Sequence, residues 1–123
     1  MSEKTEQKLI VSWFKYQYSP YRIIAIPNAQ KFLSRSKNIF AMINSMVAEG
    51  FVKGTSDLFI AKPVAPYSGL WLEMKDVRKD YDSVEENQRI FIQDMLDAGY
   101  YATWAAGFEK AQKVIMDYMN GLL

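Results

Sequence analysis

The chain has 123 residues, half of them apolar, and a formal net charge of +1 with neither cysteine nor histidine. That length and composition suit one domain spanning 1–123 with a core of its own, and the balanced charge gives no whole-molecule bias toward nucleic acid or a membrane. The missing residue types exclude disulfide frameworks, thiolate or imidazole zinc sites, cysteine nucleophiles and histidine-based triads. Carboxylates, lysines and hydroxyls are left to carry any chemistry.

In chain order, residues 3–17 place Leu9, Ile10, Trp13 and Phe14 at helical spacing behind a Ser2 N-cap, with Glu6 on the same stripe. The start of the chain lacks a signal-peptide pattern and no apolar run reaches membrane-spanning length, so a cytoplasmic location is expected. "RIIAIPN" (22–28) reads as a short strand ending at Pro27, followed by a polar, basic loop. A second helix is expected over 38–49, with Ile39, Met42, Ile43, Met46 and Val47 inward and Gly50 at its close. With Phe40 added, its apolar face is wider than one buried stripe, which fits either a dimer interface or deeper burial in the monomer.

Strands follow at 57–61 and 69–75, and the seven residues between them are too few for a helical crossover, so an antiparallel hairpin is expected. Ser83 and Glu86 fit a capping box ahead of a helix over about 84–98, whose inward stripe is Val84, Phe91, Ile92 and Met95 with Gln88 among them. A strand at 100–106, parallel to 69–75, and a closing helix at 108–119 with Ala111, Val114, Ile115 and Tyr118 inward complete the order. The pattern predicts an α/β fold, a mixed central sheet flanked by helices.

The second run of the hairpin ends in "LEMK". Alternation along a strand puts Trp71, Glu73 and Lys75 on one side and Leu70, Leu72 and Met74 on the other. Pairing residues near 57 with residues near 73 brings Asp57 beside Glu73, and two converging carboxylates call for a divalent cation such as magnesium between them. A lysine next to such an ion could position water or stabilise charge building on a phosphate. The spacing alone is matched as well by a turn-ending Asp57 and an exposed charge pair. Glu6 and Gln88, polar residues on inward stripes, add weight to a shared centre because buried polar groups need partners.

"GFVKGTSDLFIA", "GLWLEMK", "SVEENQ" and "AGYYATWAAGFEKA", in this order, resemble the VRR-NUC domain of the PD-(D/E)XK nuclease superfamily, in particular its small stand-alone phage and bacterial members. The likeness runs from Glu6 to about Tyr118 and departs from the family pattern at Ser56, where proline is usual. It implies a restriction-endonuclease-like fold and a metal-dependent endodeoxyribonuclease using magnesium, with manganese as a substitute. Asp57, Glu73 and Lys75 would be the catalytic core, Gln88 the helical glutamine, Glu6 the N-terminal helix carboxylate and the Met74 carbonyl a further metal ligand. A homodimer acting on branched DNA such as four-way (Holliday) junctions is implied, in a host cytoplasm if phage-encoded. A flap or nicking nuclease, or a catalytically silent DNA-binding module, are the alternatives. Lys31, Arg35 and Lys37 before the second helix, and Arg78 with Lys79 after the catalytic strand, are the expected phosphate contacts.

Overall fold

The computed structural model describes residues 2–27, 38–79 and 83–123, so Lys31, Arg35 and Lys37, with most of the expected basic loop, lie outside the described residues. The elements are α1 (Glu3–Gln17), β1 (Ile23–Ala25), α2 (Ile39–Ala48), β2 (Leu58–Ile60), β3 (Leu70–Lys75), α3 (Glu86–Asp97), β4 (Tyr101–Ala106) and α4 (Phe108–Met119). Their order is the one the sequence predicts.

The first helix starts where its cap dictates, because the Thr5 N–H donates to Ser2 Oγ at 3.2 Å and Glu3 and Glu6 place negative charge against the positive end of the helix dipole. Its buried stripe is Glu6, Ile10 and Phe14, spaced by four. Leu9, assigned inward from its spacing, is 42% exposed because the stripe follows its neighbour Ile10.

The four strands lie in the order β1-β2-β3-β4. β1 runs antiparallel to β2, and the expected hairpin pairs Leu58 with Leu72 and Ile60 with Leu70. β4 lies parallel to β3, with Glu73 opposite Trp104, reached through α3. Leu58, Ile60, Leu70, Leu72 and Met74 meet Ile10 and Phe14 of α1 and Ala111, Ile115 and Tyr118 of α4 in one core. Burying each large aliphatic or aromatic side chain there contributes about 1.5–3 kcal/mol. The Tyr118 hydroxyl, which cannot be buried unpaired, donates to the Lys62 carbonyl at 2.7 Å. Alternation sends Phe59 and Trp71 to the opposite side, where their rings lie 4.5 Å apart and Trp71 meets Phe91 of α3 edge-on at 5.2 Å.

Two local expectations shift. The helix expected from 84 begins at Glu86 with Glu85 as N-cap, and the Glu85 N–H donates to Gln88 Oε1 at 2.9 Å. The capping partner three residues on is therefore Gln88 rather than Glu86, while Val84, buried at 2%, is held in the core just ahead of the cap. Deeper burial does not account for the wide apolar face of α2, because that helix buries no residue and packs extensively against no other described element. Phe40 is 82% exposed.

Ahead of β2 the chain makes a close approach. Gly54, at φ +92°, lies so near α3 that a Cβ there would come within 2.4 Å of the Asn87 carbonyl oxygen. This contact joins the arm that carries Asp57 to the helix turn that carries Gln88.

A candidate carboxylate centre at the end of the hairpin

Extending the β2–β3 register one step beyond Leu58 and Leu72 sets Asp57 beside Glu73. Asp57 Oδ2 accepts from the Met74 N–H at 2.8 Å, which ties the carboxylate to the partner strand. Glu73 is 3% exposed; its Oε1 accepts from Gln88 Nε2 at 2.8 Å, and its Oε2 is buried with no hydrogen-bond partner among the described residues. Lys75 Nζ stands 4.0 Å from Glu73 Oε1, too far for a direct hydrogen bond. Burial first, and then the Asp57 charge, push the Glu73 carboxyl up to about 8 against the opposing pull of Lys75.

Gln88 thus uses both ends of its amide, accepting from the backbone of its own helix cap and donating to the strand carboxylate. The α3 cap and the centre are one hydrogen-bonded unit. Glu6 is buried at 5%, but its Oε1 lies 3.5 Å from where a Cβ on Gly107 would stand, and its Oε2 has no partner. It therefore reaches toward the N-terminus of α4, where the helix dipole favours negative charge.

Glu3, one turn earlier, is the residue that reasoning from sequence missed. Burial and then the Asp57 charge raise its carboxyl, with Lys75 opposing, so it shares the field of the hairpin centre. The signal was available in its i, i+3 relation to Glu6 on a helix already predicted. Among the described residues, no three aspartate, glutamate, histidine or cysteine side chains are gathered closely enough to hold a metal. The Asp57–Glu73 pair is the nucleus of the site.

Of the expected phosphate contacts within the described residues, Arg78 is engaged by Asp76. Its N–H and Nε each donate to Asp76 Oδ1 at 2.9 Å and its Nη2 to Oδ2 at 3.0 Å. Lys79 is exposed, and its N–H donates to the Asp76 carbonyl at 2.9 Å.

A carboxylate pair thus stands at the mouth of a hairpin, with a lysine two residues along the same strand and a helical glutamine behind it, on the mixed sheet of an α/β domain. The VRR-NUC domain family model matches residues 1–109. A solved structure described as a VRR_NUC domain protein superposes with a TM-score of 0.75 at 26% identity, covering 98% of this chain and 89% of that one. No curated protein matches the chain. The chain belongs to the VRR-NUC domain family, and with it to nuclease-type, DNA-processing proteins. No helix among the described residues is long and apolar enough to cross a membrane.

Proposed function

We propose that the protein is a magnesium-dependent DNA endonuclease that hydrolyses phosphodiester bonds, selective for branched DNA such as four-way junctions and active as a homodimer. The observation that carries this reading is the convergence of Asp57 and Glu73 beside Lys75, with one Glu73 oxygen buried and unpartnered. Two adjacent carboxylates, one of them raised by burial and by the other's charge, offer hard oxygen donors that a divalent cation would stabilise in their charged form. Asp57, Glu73 and the Met74 carbonyl would hold the ion, which when bound would neutralise phosphate charge and acidify water.

The protein's own groups supply the rest. Gln88 fixes the rotamer of Glu73 through the 2.8 Å bond from its amide. Lys75, its side chain only 12% exposed, offers an ammonium to the attacking water or to the charge that grows on the phosphate. Glu6, buried with Oε2 unpartnered among the described residues, would tune a second metal ion or the nucleophile, and Glu3 lies in the field of Asp57 at the rim. Exposed Ile39, Phe40 and Val47 on α2 support a second copy of the chain as a partner.

The test is cleavage of end-labelled four-way junction, flap and linear duplex DNA in magnesium or calcium, with sedimentation equilibrium in the same buffer. The parent should cut the junction fastest in magnesium and sediment as two chains. Glu73→Ala and Lys75→Ala should each lose at least about 100-fold in rate. Parent-like cleavage by either variant would remove these residues from the chemistry, and equal cutting of all three DNAs would remove the junction preference.

A further inference from the structure

A groove of about 720 Å³ runs along the outer side of α1 toward the end of β1, and its lining includes both Glu3 and Asp57. Lys4, Lys8 and Lys15 line the same groove. At about 100° per residue these three fall within a stripe about 40° wide, so they form one row on one side of the helix. All three are exposed, and none is ion-paired among the described residues.

From the nuclease reading above, on which this step rests, we infer that Lys4, Lys8 and Lys15 form a phosphate-binding track that leads one strand of the DNA backbone to Asp57. The row is about 16 Å long at a rise of about 1.5 Å per residue. One strand of duplex DNA advances about 3.4 Å per phosphate, so the row follows about five phosphates. Its charge is graded. The lysines attract the backbone along the helix, while Glu3 and Asp57 repel it at the far end unless a cation intervenes. Backbone is therefore gathered along the row, and only cation-loaded protein accepts a phosphate at the centre. Of the two cations after the catalytic strand, Arg78 is held by Asp76 and Lys79 does not line the groove, so the α1 row supplies the positive charge in the same groove as Asp57. Val11, Ala25, Ile26 and Pro27 supply the apolar part of the wall, and the three lysines are its only cations among the described residues, so phosphate is the group the track is built to hold.

The test compares the Lys4→Gln/Lys8→Gln/Lys15→Gln triple variant with a charge-matched control, Lys53→Gln/Lys110→Gln/Lys113→Gln. Anisotropy of fluorescein-labelled duplex and junction DNA is followed in calcium across about 50–200 mM salt. The triple variant should bind at least about tenfold more weakly at the lowest salt, and its slope of log affinity against log salt should flatten by about 2–3, at about 0.9 per lost contact. The control should keep the parent slope. Single-turnover cleavage by the triple variant at saturating protein in magnesium should stay within about threefold of the parent, because the track binds and does not react. Parent-like affinity and slope in the triple variant would overturn the track and leave the nuclease reading intact, as would an equal loss in the control. A parent that binds no DNA would overturn both. If the triple variant melts early, the single exposed change Lys8→Glu decides the question by the same slope.

Discussion

Glu73 and Asp76 stand three residues apart at the end of β3, both shielded from solvent, and they titrate in opposite directions. Asp76 receives three hydrogen bonds from Arg78, which hold its carboxyl well below the usual carboxylate range. Glu73 receives one bond from a neutral amide, faces Asp57 and keeps an oxygen unpartnered, so its carboxyl rises to about 8. Shielding is common to both; the difference lies in whether the chain itself provides a cation. An acid paired within its own strand end is structural, whereas one left short of positive charge is prepared for something from outside.

The contrast predicts its largest effect in activity. Where Glu73→Ala should abolish cleavage, Asp76→Asn should cut within about threefold of the parent, measured as initial rates in saturating magnesium. A collapse of activity in Asp76→Asn would place both acids in the reacting centre and dissolve the distinction.

The next effect is the pH dependence of stability in the metal-free protein. Because folding raises the Glu73 pKa from about 4.5 to about 8, the folded state holds a proton that the unfolded chain has released across that interval. Glu73 should therefore contribute stability below about pH 4.5 that is lost as pH rises through about 8. Glu73→Gln should remove that decline and melt above the parent at pH 8. Asp76 works in the opposite sense. Its depressed pKa stabilises the fold above about pH 4 and that contribution fades in acid, so Asp76→Asn should lose part of the parent's acid sensitivity. Melting curves from pH 3 to 9 check both signs.

The smallest effect sharpens the comparison from the side of the partner. Gln88→Leu removes the side-chain amide that donates to Glu73 and the acceptor for the α3 cap, so it should cost about 1 kcal/mol and about tenfold in cleavage rate.

Much of this was legible in the sequence because it is local. The cap at Ser2, the period of α1 and the shortness of the hairpin connection set the order and direction of these elements, and the hairpin fixes the meeting of Asp57 with Glu73. Gln88 was marked by a polar residue on an apolar stripe, and its bond to Glu73 explains why it is there. What escaped reading depends on packing between distant elements. The apolar sequence of α2 says nothing of whether a neighbour covers it, and none of the described elements does so extensively. Glu3 looked like an ordinary first-turn acid until α1 was laid against the mouth of the hairpin. The Asp76–Arg78 clamp is local, yet two residues separated by one position can meet only in a turn whose shape the alternation of strands does not reveal.

Gly54 limits how this chain can be improved by design. Replacing glycine with alanine is a usual route to thermostability, and at a compatible site it gains about 0.4–1 kcal/mol by narrowing the unfolded ensemble. Here even a single methyl group would meet the Asn87 carbonyl at 2.4 Å, and it would act as a wedge between the loop that bears Asp57 and the helix that bears Gln88. The hydrogen atom at that position sets the gauge between the two halves of the centre, so a stabilised variant has to take its rigidity from elsewhere in the fold.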